Sequence, residues 1–183
     1  MRTTGTVLAT ITAVVAALPL LVGGAAGSAA ALASNGPRSI VDPVGDASPA
    51  TDIERVGIRG VGPQRGLLNV RVEFARREEI GVRTTVWFDT DDDGRPDLRL
   101  QGYRQSEYDL REVAHWFGPG RPADCDTYRQ KGNRAGTAVV TRIGRDCLGR
   151  GPARVAVQTA QLQTNDHDWL GDARQFHGYR WTA

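Results

Sequence analysis

The densest chemistry in this chain is the run Asp89-Thr90-Asp91-Asp92-Asp93-Gly94-Arg95-Pro96-Asp97. It reads D-x-D-x-D-G-x-x-D, with carboxylates at positions one, three, five and nine of a loop. A hard cation such as Ca²⁺ takes about six to eight oxygen ligands, and carboxylates at odd positions of a tight loop can converge on one centre. Gly94 supplies the sharp turn, and the carbonyl of Arg95 is placed to add a backbone oxygen. Without a cation, five carboxylates within nine residues repel one another. The expected metal ligands are therefore Asp89, Asp91, Asp93, Arg95 and Asp97, and the expected cofactor is Ca²⁺. An acidic turn without an ion would use the same residue types, since Asp and Gly favour turns anyway. The complete ligand spacing weighs toward the cation.

The flanks decide what kind of loop this is. An EF-hand needs a helix on each side and a bidentate Glu at position twelve, where this chain has Leu100. The flanks here are Thr85-Val86-Trp87-Phe88 and Leu98-Arg99-Leu100, β-branched, aromatic and alternating, which predict strands. The loop thus resembles the calcium-binding hairpin loops of integrin-type propellers, with Asp97 as the closing ligand. Outside a cell, an affinity of roughly 10⁻⁴–10⁻³ M would suffice.

A second acidic constellation, weaker as a motif, is Asp42-Pro43-Val44-Gly45-Asp46 followed by Asp52. Asp42, Asp46 and Asp52 could form another oxygen-rich site, or could cap turns through local hydrogen bonds. Asp166-His167-Asp168 has the composition of an acid–base trio, but neighbours on a strand point to opposite faces and need not converge. Signals for catalysis are otherwise thin. No Ser lies in a G-x-S-x-G elbow, and His115, His167 and His177 lack zinc spacing. No pair of acids can be assigned to glycoside hydrolysis. We assign no catalytic residue. Among the aromatic residues Trp87 is distinctive, because it lies opposite the Val82-Val86-Phe88 face and should point outward if that face is core. An outward Trp could stack on a sugar ring; a covering strand or loop is the competing expectation.

Short alternating runs must carry these residues. Val56 and Ile58; Leu68 to Phe74; Ile80 to Phe88; Leu98 and Leu100; Tyr108 to Trp116; Thr137 to Ile143; Ala153 to Thr159; and Phe176 to Trp181 repeat a period of two. No sustained period of 3.6 appears after residue 33. About eight such strands predict an all-β, antiparallel β-sandwich. Cys125 and Cys147 are the only cysteines and are expected to form one disulfide, worth roughly 3 kcal/mol by loop-closure entropy. The bridge would tie down the Gly/Pro-rich stretch from Gly118 to Gly136.

The N-terminus predicts the compartment. Met1-Arg2, an apolar stretch from Val7 to Val22 and the small-x-small site Ala31-Leu32-Ala33 read as a secretory signal peptide over 1–33. Removing 33 of 183 residues leaves 150, the size of one domain, over 34–183. The formal charge of +2 falls to +1 without Arg2, and the Arg residues are scattered along the sequence. Neither favours a nucleic-acid partner. A secreted monomer without a membrane contact is expected.

The order D-P-x-G-D-A, D-I-x-x-V, L-x-V-x-V and F-D-T-D-x-D-G-x-P-D resembles a group of secreted actinobacterial proteins. Asp168-Trp169, Asp172, Phe176 and Trp181 match the closing stretch of that group. The group is similar to DOMON-like and family 9 carbohydrate-binding β-sandwiches. The resemblance implies a sandwich with bound calcium and a ligand surface, without implying an activity. DOMON domains that hold haem use Met and His as axial ligands, and the single Met here is Met1, so that form of haem binding is excluded. Three functions follow as expectations: a non-catalytic binding module for carbohydrate or cell wall, an extracellular hydrolase with unassigned acids, or a structural or protein-interaction domain stiffened by calcium.

Overall fold

A computed structural model of the chain describes residues 34–35, 37–61, 66–77, 80–104, 106–151 and 153–180. The predicted signal peptide and Trp181 lie outside these residues.

Thirteen strands and one helical turn are present among the described residues. In chain order they are β1 (Ser34–Asn35), β2 (Arg38–Val41), β3 (Ile53–Val61), β4 (Leu67–Phe74), β5 (Val82–Asp89), β6 (Leu98–Tyr103) and β7 (Tyr108–Glu112). There follow β8 (Arg121–Pro122), β9 (Tyr128–Gly132), β10 (Ala138–Gly144), α1 (Arg145–Leu148), β11 (Ala153–Gln161), β12 (His167–Trp169) and β13 (His177–Arg180). The eight runs with apolar alternation are all strands, so the all-β antiparallel reading holds. The expected number of eight is too low. The five additional strands, β1, β2, β8, β9 and β12, are two to five residues long and mostly polar, and such edges carry little period-two signal. Two of them, β8 and β9, interrupt the stretch from Gly118 to Gly136 that reads as irregular in sequence. The run from Tyr108 stops pairing at Glu112, and residues 113–120 form a loop.

The strands form two sheets. The smaller has the order β2-β3-β4-β10-β9; the larger runs β1-β13-β11-β5-β6-β7-β8, with β12 also paired to β11. All pairings are antiparallel except β1 with β13. One core fills the space between the sheets, with Val56, Ile58, Val70, Val72 and Ile143 from the smaller facing Val86, Phe88, Leu100, Val155 and Val157 from the larger. These side chains are two residues apart along each strand, which is why the pattern was readable before the fold.

The outer face of the larger sheet is also apolar near its centre. Trp87, Val113, Ala156, Trp169 and Phe176 form a second cluster, with Trp116 packed against it. The smaller sheet's outer face is different. Register places Arg55, Arg59, Arg71, Arg129, Lys131 and Arg142 on it, so cations scattered in sequence are gathered on one surface.

The disulfide joins Cys125, in the connection from β8 to β9, to Cys147 in α1, with the Cα atoms 5.4 Å apart. Asp146 Oδ2 accepts the N–H groups of Asp126 and Thr127 beside it, closing the same corner a second time.

Candidate functional site

The Asp-rich run occupies the turn between β5 and β6, two strands in direct register with Phe88 opposite Leu98 and Val86 opposite Leu100. The hairpin continues past this pair, since the Asp97 N–H donates to the Phe88 carbonyl at 2.9 Å. Asp89 closes β5 and is fully buried, whereas Asp91, Asp92, Asp93 and Arg95 are exposed and Asp97 is half-buried.

Asp89 organises the loop. Its Oδ1 accepts the Asp92 N–H at 2.7 Å and its Oδ2 accepts the Gly94 N–H at 2.9 Å. Asp92 and Gly94 take left-handed backbone angles, φ of 68° and 84°, which wrap the loop around that carboxylate. The second conformation is free for Gly and tolerated by Asp in the first. Asp97 Oδ2 accepts both the N–H (2.7 Å) and the hydroxyl (2.8 Å) of Thr90. Asp93 Oδ1 accepts the Arg95 N–H at 2.7 Å. Burial pushes the Asp89 carboxyl above its ordinary value, opposed by the Gly94 and Asp92 amides and by Arg154, while Asp97 adds repulsion.

Of the five sequence-predicted ligands, Asp89, Asp91 and Asp97 bring one carboxylate oxygen each within 4.8 Å of the others. Asp93 is outside this group, and Arg95 enters the described contacts through its N–H. The donor set suits a hard cation. Each carboxylate has about four lone-pair positions, so the amide bonds leave capacity for a metal. The loop also has a cation of its own. The Arg154 guanidinium, from β11 directly opposite Asp89, lies 3.6 Å from Asp89 Oδ2 and 3.0 Å from Asp92 Oδ1.

The second constellation is assembled from both sheets. Asp42 follows β2, Asp46 lies in the ensuing turn, Asp52 precedes β3, and Asp168 is the middle residue of β12. Asp42, Asp46 and Asp168 bring oxygens within 4.8 Å of one another. Asp52 is not one of the three; its Oδ2 accepts the Gly45 N–H at 2.9 Å within the turn. Asp168 Oδ2 accepts the Ile53 N–H at 2.7 Å, and Asp42 Oδ1 accepts the Gly171 N–H at 2.7 Å. Each carboxylate thus satisfies an amide on the segment that carries the other. Asp42 is 3% exposed and Asp168 6%. Burial, with the charges of Asp42 and Asp46 adding to it, pushes the Asp168 carboxyl up to about 7 against the opposing Ile53 hydrogen bond. Burial likewise raises Asp42.

Sequence reasoning placed Asp168 in a trio with Asp166 and His167. The trio does not converge, because Asp168 is buried while Asp166 and His167 are exposed. Strand alternation separates it from His167, and the register that sets Asp168 opposite Thr159, on the inner side of β11, turns it inward. A third grouping, Cys125, Asp146 and Cys147, is closed to metals by the disulfide.

Trp87 requires a correction. Alternation sends its ring to the outer face of the larger sheet, and it lies there, but it is only 1% exposed. Trp169 stacks on it at 5.1 Å between ring centroids, and the indole N–H donates to the Trp116 carbonyl at 2.9 Å. The loop 113–120 and the segment from Trp169 to Phe176 cover the ring, so Trp87 offers no surface to a ligand. The exposed aromatic ring of this region is Phe117, 60% exposed, with the Arg174 guanidinium 5.3 Å from its centre.

An open groove runs beside the hairpin loop, lined in part by Thr90, Asp97, Glu112, His115, Arg121 and Cys147. Glu112 is engaged by Arg121, whose Nε donates to Glu112 Oε2 at 2.6 Å.

Comparison with family models, with curated proteins and with solved structures returns no match to this chain.

Proposed function

We propose that this chain is a secreted, calcium-binding β-sandwich that acts as a non-catalytic binding module toward an extracellular carbohydrate or protein. The observation that carries the calcium reading is the convergence of Asp89, Asp91 and Asp97 at the tip of the β5–β6 hairpin. Asp93 and the Arg95 carbonyl complete the ligand set read from the sequence. Calcium here stiffens the loop that borders the groove lined by Asp97, Glu112 and His115. The signal-peptide pattern of residues 1–33 and the family resemblance support secretion and the module role. The hydrolase reading would need a spare acid beside His115, and Glu112 is held by Arg121.

Thermal unfolding of the purified protein with Ca²⁺, with Mg²⁺ and with chelator tests this. A ligand at a hundredfold its Kd adds about 2.7 kcal/mol, which raises the midpoint of a domain this size by roughly 5–10 °C. An unchanged midpoint, or an equal response to Mg²⁺, removes the calcium assignment. Pull-down on cell-wall and plant polysaccharides, with and without Ca²⁺, tests the module role.

A further inference from the structure

The hairpin does not account for the four carboxylates at the opposite strand connections. Asp42, Asp52 and Asp168 are each more than nine-tenths buried, yet two of their oxygens have no hydrogen-bond partner: Asp42 Oδ2 and Asp52 Oδ1. Such oxygens are costly unless something neutralises them. No ion pair joins Asp42, Asp46, Asp52 or Asp168 to an Arg, Lys or His among the described residues. The amides of Ile53 and Gly171 satisfy Asp168 Oδ2 and Asp42 Oδ1, and Asp42, Asp46 and Asp168 each bring one carboxylate oxygen within 4.8 Å of the others.

We infer that Asp42, Asp46 and Asp168, with Asp52 beside them, hold a second Ca²⁺ that clips the two sheets together at this end. The turn 42–52 belongs to the smaller sheet and Asp168 to the larger, so one ion would fasten chain segments 115 residues apart, as the Ile53–Asp168 hydrogen bond already does. Ca²⁺ suits the donors better than Mg²⁺, which demands near-ideal octahedral geometry; a cage drawn from two sheets and a flexible turn is irregular. Asp46 is exposed, which leaves an entry path and room for water ligands. The competing account is a carboxyl pair sharing a proton, with no metal.

Asn at position 168 separates the two, because its Oδ1 can still accept the Ile53 N–H while the charge is lost. Calcium stoichiometry by equilibrium dialysis, with unfolding midpoints in Ca²⁺ and in chelator, should be compared for wild type, Asp168→Asn, Asp46→Asn and Asp91→Ala. The expected result is two equivalents for wild type and one for each variant. In chelator Asp168→Asn should unfold at or above the wild-type midpoint, because a repulsive charge is gone, and in Ca²⁺ it should fall below. A proton-sharing pair would leave the calcium equivalents of Asp168→Asn and Asp46→Asn equal to wild type, and that result overturns the site. Asp46→Asn alters only an exposed residue, so it decides the question should Asp168→Asn fail to fold. Asp91→Ala reports on the hairpin alone; an unchanged stoichiometry there counts against the hairpin ion and leaves the cross-sheet site to the other two variants.

Discussion

The two acidic regions solve the same electrostatic problem differently. The hairpin packs five carboxylates into nine residues, but most are exposed, the buried Asp89 has both oxygens on loop amides, and Arg154 lies beside it. The cross-sheet cluster has fewer acids, buries most of them, leaves two oxygens unpartnered and has no basic side chain paired to it among the described residues. Charge density along the sequence therefore misleads. Repulsion between exposed charges is weakened by water and salt, whereas the cost of an unpaired buried oxygen is not. The motif that is conspicuous in sequence has its buried carboxylate fully partnered; the inconspicuous one does not.

The largest effect should appear within the hairpin itself, between Asp89 and Asp91. Asp89→Ala removes the acceptor of two amides and the partner of Arg154 at a fully buried position, and should cost about 3 kcal/mol or more even in chelator. Asp91→Ala, at an exposed position, should stay within about 0.5 kcal/mol in chelator and lose stability only relative to wild type in Ca²⁺. Urea unfolding in both conditions measures this. Equal losses for the two variants in chelator would mean that the loop is not built around Asp89.

Arg154 provides the next test, because it is the feature that the cross-sheet cluster lacks. Its guanidinium neutralises Asp89 and Asp92 and also competes with any ion for them. Arg154→Met keeps an unbranched side chain at this position but removes both the charge and the guanidinium that lies over the Phe176 ring. In chelator the variant should be less stable by about 1 kcal/mol, in the range for a partly exposed ion pair. Calcium titration should show tighter binding at the hairpin, and unchanged binding at the cross-sheet site. Weaker hairpin binding would show that Arg154 supports the ligand geometry instead of competing with it.

How much of this was legible beforehand follows from what a sequence pattern can encode. The inner face of each long strand was readable because Leu68, Val70 and Val72, or Val86 and Phe88, recur every second residue. The hairpin was readable because its acidic residues are contiguous. Asp168 was not, since it meets Asp42 across 126 positions through a register that no local pattern records. The same limit left both expectations for Trp87 open: alternation fixes the face on which a side chain emerges, and does not decide whether residues 113–120 or Trp169 fold over that face. It hid the basic surface too, because Arg55, Arg71 and Arg142 become neighbours only once β3, β4 and β10 pair.

The smallest effect concerns the support behind the cross-sheet cluster. His177, in β13, is buried, and its Nε2 lies 3.4 Å from the carbonyl of Leu170, between Asp168 and the Gly171 amide that Asp42 accepts. Burial lowers the His177 pKa below its ordinary value near 6.5, the Leu170 carbonyl opposes this, and Arg38 adds to the lowering. The folded protein thus keeps His177 neutral where the unfolded chain would protonate it. Stability from this residue is complete above the unfolded value and is lost as pH falls from there toward the lower folded one. Asp168, whose carboxyl is raised to about 7, titrates in the same interval with the opposite sign, so the test is the difference: at saturating Ca²⁺, lowering the pH from about 7 to 5.5 should cost wild type more in midpoint than it costs His177→Gln. The difference should be small, about a degree or two. Asp91→Ala leaves His177 and its surroundings unchanged, so it should follow the wild-type slope. If His177→Gln follows it as well, the imidazole is reached by water and the segment behind Asp168 is looser than its burial implies.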